Sequence, residues 1–199
     1  MSLTLNKGQT LTLNKDAGFP DEFVIGLGWD TNRTDTGKDF DLDAAIILVG
    51  EDNKVLSNTD FSSLVFYHNQ TAPGFQHSGD NKTGDAEGDD ESIATKLPEV
   101  LPKVKKAIIT ASIFAGTKRK QNFGQVDNAY VRLVNPYTGQ ELLRYDLTEG
   151  FSQETAVIFA EIYRYNGEWK MKAVGAGYKG GFSTLLAQYG MFIPEETDE

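Results

Sequence analysis

"DFDLDAAIILV" (Asp39–Val49) carries two patterns that change over midway. Its second half, "AAIILV" (Ala44–Val49), is continuously apolar, as expected of a strand covered on both faces or central to a sandwich core. In the first half, Asp39, Asp41 and Asp43 alternate with Phe40 and Leu42. Residues two apart share a face in extended chain, so the three carboxylates project together while Phe40 and Leu42 point the other way. Like charges on one face repel, and a cation turns that cost into binding energy. Local solubility gives no reason for carboxylates to run into an apolar strand.

Working outward, short β-branched or aromatic runs recur between turn signals: "FVIGLGW" (23–29), "SLVFY" (63–67), "KAIITASIF" (106–114), "AYVRLV" (129–134), "ELLRYDL" (141–147), "AVIFAEIYRY" (156–165) and "EWKMKAV" (168–174). These predict strands. Asn166-Gly167 is a hairpin turn signal, and "NPYTGQ" separates another pair. In "AEIYRY" neither alternating face is purely apolar, which leaves that strand's facing open. Helix is scarce: "LPEVLPKVKK" has room for a turn or two, and "STLLAQYG" for a short helix capped by Ser183 and stopped by Gly190. The pattern is that of an all-β sandwich with one or two short helices, a single domain over residues 1–194, followed by an acidic tail, 195–199, read as a frayed and solvated end.

The 199 residues include no cysteine, which excludes disulfides and thiolate metal sites. The N-terminus lacks the basic and apolar regions of a signal peptide, and no apolar stretch approaches the roughly 20 residues that span a bilayer. A soluble, cytoplasmic protein with no membrane insertion is expected. The net charge of −10 is concentrated in Asp30–Asp43, in "HSGDNKTGDAEGDDE" (His77–Glu91) and in the tail. Focused negative potential disfavours nucleic acid and favours a cation or a basic partner.

The stretch His77–Glu91 has six carboxylates against Lys82 alone, which by itself reads as a solvated loop. Paired with the Asp39–Asp43 face it reads as half of a site, and Asp30, closing the preceding strand, can reach the same rim. Carboxylates, Asn and Thr oxygens and glycine-exposed carbonyls are hard ligands that suit calcium; zinc prefers sulfur or imidazole, and magnesium takes fewer protein ligands. An EF-hand is excluded, because a loop begun at Asp80 puts Lys82 and Gly84 at ligand positions and Asp85 where glycine is required. "GAGYKG" (Gly175–Gly180) matches a dinucleotide fingerprint, but the 19 residues after it leave no room for a further strand, so a tight turn is expected. "TKRKQ" (117–121) reads as a solvated hairpin tip. His68 and His77 could serve catalysis, but no HExxH or GxSxG motif or Cys nucleophile accompanies them.

With both acidic segments in view, the chain resembles the TerD family of tellurite-resistance and general-stress proteins. The resemblance rests on "GLGWD" (26–30), "DFDLDA" (39–44), the His77–Glu91 stretch, "QNFGQVDNAYVRLVN" (121–135), "RYDL" (144–147), "ETA" (154–156), "EIYRYNGEWK" (161–170) and "AVGAGYKGG" (173–181). It implies a sandwich of two antiparallel sheets that binds calcium at acidic loops and has no established enzymatic activity; about nine candidate side-chain ligands in the two acidic segments, at six to eight oxygens per ion including carbonyls and water, predict about two calcium ions. Ligands carried over by position lie among Asp30, Asp39, Asp41, Asp43, Asp80, Asn81, Asp89, Asp90 and Glu91. The implied partners are other tellurite-resistance proteins and a TerC-like integral membrane protein, which would hold the chain at the inner face of the membrane. Three positions depart from the family pattern: Ala45 where a serine is common, "IFAG" (113–116) in place of "IHDA", and Ala86 in place of a glycine. The competing expectation is a metal-dependent phosphoesterase or nucleotide hydrolase whose carboxylates hold ions that activate water.

Overall fold

The computed structural model of the protein describes residues 3–4, 7–14, 16, 18–30, 38–85, 88–147, 150–194 and 196. Ala86, Glu87, Glu195 and 197–199, on which parts of the acidic-loop and tail expectations fall, lie outside the described residues. One sheet has the order β1 (Leu3–Thr4), β11 (Glu141–Asp146), β10 (Tyr130–Val134), β3 (Glu22–Gly28), β8 (Glu91–Lys96), β7 (Phe75–His77), β6 (Thr71–Ala72). The second has β2 (Thr10–Thr12), β13 (Glu168–Tyr178), β12 (Ala156–Tyr165), β9 (Lys106–Ile113), β4 (Leu42–Val49), β5 (Leu64–Val65). Pairing is antiparallel throughout except that β1 runs parallel to β11. The described residues also include two short α-helices, α1 (Gly116–Arg119) and α2 (Gly181–Ala187), and 3-10 turns at Phe61–Ser63, Leu97–Glu99 and Phe123–Gln125.

Alternation sorts the side chains. Leu42, Ala44, Ile46 and Leu48 of β4 enter the core between the sheets, where they meet residues such as Phe23 and Ile25 of β3. Ala45, Ile47 and Val49 point to the opposite face, which α2 covers with Phe182, Leu185 and Leu186. That second cluster is why "AAIILV" reads as apolar without interruption: the strand is a middle layer. Burying each such aliphatic or aromatic side chain contributes about 1.5–3 kcal/mol.

Several elements differ in extent from their sequence reading. The strand β8 starts at Glu91, the last acid of the stretch read as a loop, because "SIAT" alternates and its partners β3 and β7 flank it on both sides. The strand β13 runs on through "GAGY" to Tyr178, so that motif is neither a tight turn nor a fingerprint. Its pairing with β12 skips a residue between Ile158 and Ala160, and Gly175, at φ +56°, occupies the resulting bulge. The segment "TKRKQ" forms α1 rather than a hairpin tip, and "LPEVLPKVKK" yields a single 3-10 turn at Leu97–Glu99. The helix α2 begins at Gly181, ahead of Ser183, whose hydroxyl donates to Gly180 O at 3.5 Å, and Gly190 follows it at φ +80°. The hairpin at Asn166-Gly167 has φ of +51° and +82°, the signs a type I′ turn requires. The open facing of β12 is resolved in favour of Ile162, which is buried while Arg164 stacks on the Trp169 ring.

Candidate metal centre

The start of β4 is an edge. It pairs with β9 over its whole length, but with β5 only at Ile46 and Ile47, which leaves the Leu42–Ala45 half without a strand on the other side. The loop between β7 and β8 fills that gap and brings Asp80 to the acids of β4. One ligand atom from each of Asp41, Asp43 and Asp80 lies within 4.8 Å of the other two. Asp41 and Asp43 are 8% and 4% exposed, whereas Asp80 stands at the solvent rim, 3.5 Å from Lys82 Nζ. Asp43 shares its strand face with Ala45 and Ile47, so it lies against the cluster under α2 rather than in the core between the sheets.

Electrostatics single out the buried pair. Burial, reinforced by Asp80 and partly opposed by the Arg119 guanidinium, pushes the Asp41 carboxyl up to about 7. Burial, with Glu91 and Asp41 as the next causes, pushes Asp43 well above the ordinary carboxylate range. Asp41 Oδ1 and Asp43 Oδ2 are buried and accept no hydrogen bond among the described residues. A bare buried carboxylate oxygen is costly, and native structures leave few of them.

Apart from Asp39, the other residues considered as ligands are engaged in the fold through their side chains. Asp89 Oδ1 accepts from Arg132 Nε at 2.8 Å and from the Tyr130 hydroxyl at 3.1 Å. Asp90 Oδ2 accepts the Trp29 backbone N–H at 2.9 Å, and its Oδ1 lies 3.4 Å from Asn81 Nδ2. Asn81 Oδ1 accepts the N–H groups of Thr83 and Gly84 at 3.1 and 3.2 Å, which closes the turn after Asp80. Glu91 is wholly buried; its Oε2 accepts Ala44 N–H at 2.7 Å and its Oε1 accepts Asn81 N–H at 3.2 Å. Asp30 Oδ2 accepts from Asn128 Nδ2 at 2.6 Å. Asp39 is exposed, and its carbonyl accepts from Gln121 Nε2 at 3.3 Å.

Three neighbours carried no recognisable signal in the sequence. Arg119 reaches from α1 toward Asp41, with its guanidinium 5.1 Å over the Phe114 ring. Tyr67 is half-buried beside Asp43, whose charge adds to burial in raising the phenol. Glu196 Oε2 accepts Ala115 N–H at 3.2 Å, and its charge contributes to the rise at Asp43. At Glu196, therefore, the tail is docked beside the acids instead of frayed. Of the two histidines, His68 is exposed and stacked on Tyr67, and His77 is buried against Glu91.

Beneath the acidic loop lies Trp29, 4% exposed, whose Nε1 donates to Phe40 O at 3.1 Å. Gly84 rests on the indole at φ +66°, and a Cβ there would collide with Trp29 Nε1.

The architecture and sequence both have known counterparts. A crystal structure of a homologue of telluride resistance protein (TerD) from Streptomyces coelicolor A3(2) superposes with a TM-score of 0.70 over 86% of this chain and 98% of that one, at 21% identity, which establishes likeness of fold. The tellurium resistance protein TerD of Serratia marcescens is 47% identical over 96% of this chain and 98% of its own. General stress protein 16U of Bacillus subtilis (strain 168) is 47% identical over 97% of this chain and the whole of its own. The family model for the TerD domain matches residues 1–189. The chain therefore belongs to the TerD family, whose named members are tellurium-resistance and general-stress proteins.

Proposed function

We propose that the protein is a calcium-binding module of the stress response, which works by engaging partners rather than by turning over a substrate. The observation that carries this reading is the pair of buried oxygens, Asp41 Oδ1 and Asp43 Oδ2, which lack hydrogen-bond partners beside Asp80. A hard divalent cation supplies what these oxygens lack: positive charge at a site built of oxygen donors, with Asp80 and water completing the shell on the open side. The donor set fits calcium better than a soft metal, because thiolate is absent and His77 is committed to the fold. A second ion, expected from the number of acidic side chains, has no comparable group of three acids among the described residues. Partner proteins of the tellurite-resistance type, including a TerC-like membrane protein, would then meet a cytoplasmic surface whose charge the ion alters.

Calorimetric titration of chelator-treated protein with calcium tests the proposal. The expected result is saturable binding with a stoichiometry of at least one, abolished by Asp43→Asn and retained by Asp30→Asn. A flat titration, or unchanged binding by Asp43→Asn, overturns it. Phosphoester turnover that needs the same aspartates would replace the module by the hydrolase.

A further inference from the structure

The strand β4 offers backbone groups to the side where β5 has ended, and side chains take the place of the missing strand. Glu91 Oε2 accepts Ala44 N–H at 2.7 Å, while His77 Nε2 stands 3.1 Å from Ala44 O. The His77 tautomer follows from its other nitrogen: Nδ1 accepts Gly79 N–H at 3.0 Å, so the ring proton is on Nε2 and points at Ala44 O, with Glu91 Oε2 only 3.4 Å away. Glu91 Oε1 accepts Asn81 N–H at 3.2 Å. Both side chains are 0% exposed. Two side chains thus tie together Ala44, which follows Asp43, and Gly79 and Asn81, which flank Asp80.

We infer that Glu91 and His77 form a positioning latch that sets the gap between Asp43 and Asp80 and makes the site select its cation by size. The inference rests on the cation reading above. Calcium takes oxygens at about 2.3–2.6 Å and magnesium at about 2.0–2.1 Å. With the backbone pinned on both sides of the gap, the acids cannot close on the smaller ion without breaking buried hydrogen bonds. Glu91 has two backbone donors of its own and holds the frame, whereas Asp41 and Asp43 keep bare oxygens for the ion. Outer partners that orient metal ligands typically matter by about 10–100-fold in affinity.

The test compares full-length wild type, Glu91→Gln and His77→Phe by calorimetry with calcium chloride and, separately, magnesium chloride. Glu91→Gln keeps the shape but presents an amide donor to a backbone donor; His77→Phe removes the donor to Ala44 O and leaves every carboxylate in place. In both variants calcium affinity is expected to fall about tenfold or more, and magnesium affinity to fall less, so the calcium-to-magnesium ratio drops. Loss of affinity in Glu91→Gln with none in His77→Phe would make Glu91 a ligand and overturn the latch, as would equal losses for the two ions. Hydrogen exchange of the Ala44 and Asn81 amides in metal-free protein gives a reading that needs no cation. Protection in wild type that is lost in Glu91→Gln is expected, and unprotected wild-type amides overturn the latch. If wild type binds neither ion, the cation reading and the size selection fail together, and exchange alone then decides whether the positioning contact exists.

Discussion

Asp43 concentrates the energetic conflict of the molecule in one side chain: it is 4% exposed, with one oxygen lacking a donor and three other acids adding to its field besides Asp80. In the metal-free protein, Asp43→Asn is expected to raise the melting temperature while abolishing the response to calcium, since it removes at once the proposed ligand and a carboxyl whose ionised form is disfavoured by burial and neighbouring acids. Relief of about 1 kcal/mol corresponds to roughly 2–4 °C for a chain of this size. A lower metal-free melting temperature would show that the carboxylate is already satisfied by the protein. The pH dependence has a definite sign. Between 3.8 and about 7 the folded protein holds the Asp41 proton that the unfolded chain has released, so this group makes metal-free stability fall as pH rises through that window. Denaturant unfolding of wild type and Asp41→Asn in chelator, from pH 5 to pH 8, should show the wild type losing stability relative to the variant as pH increases. Parallel curves would remove Asp41 from the titration. Gly84 makes a separate case: at φ +66° and against the Trp29 indole, Gly84→Ala combines backbone strain with collision. A loss of about 1–3 kcal/mol, together with altered Trp29 fluorescence, is expected from equilibrium unfolding.

At the scale of elements, α2 is what allows acids to be buried beside β4. By covering Ala45, Ile47 and Val49 it makes the outer face of the second sheet a dry surface, and Asp43 lies on the continuation of that face. Leu185 is 0% exposed in this cluster. Leu185→Ala should cost about 2–5 kcal/mol, read as a fall in melting temperature of similar size with and without calcium, because the element supports the face and not the ion. A fall confined to the calcium-loaded form would instead place α2 in the binding event. The run "AAIILV" predicts a strand covered on both sides, and the covered face is real, but its cover comes from a helix more than 130 residues away. That β8 goes unrecognised in the sequence has a similar cause. Acidic residues up to Glu91 mask the alternation that follows, and only the flanking strands β3 and β7 make Glu91 the first residue of a ladder.

For the whole molecule, a charge of −10 focused on two loops and a tail makes the proposed cation binding also a matter of long-range field. Calcium at a hundredfold excess over its dissociation constant should stabilise the fold by about 2.7 kcal/mol, a rise of about 5–10 °C in melting temperature. The shift at fixed calcium should shrink as potassium chloride is raised, since exposed acids are screened within about 10 Å at 0.1 M salt. Glu196→Gln should weaken the response as well, though less than Asp43→Asn, because Glu196 docks at Ala115 and adds to the field at Asp43. An unchanged response would return the tail to a solvated end. Local order determines what can be read from the chain alone. Alternation and turn chemistry are short-range properties, so the sandwich class, most of the longer strands, the Asn166-Gly167 hairpin and the placing of Asp41 with Asp43, though not of Asp39 with them, are legible residue by residue. Which acids stay bare is decided between segments. Asp89 meets Arg132 across the first sheet, Glu91 and His77 replace a missing strand beside Ala44, and among the described residues of its loop Asp80 is the acid grouped with Asp41 and Asp43. Only tertiary structure separates the carboxylates that hold the frame from those left bare, because the donors that satisfy a buried carboxylate come mostly from distant residues, and a sequence does not order those by distance.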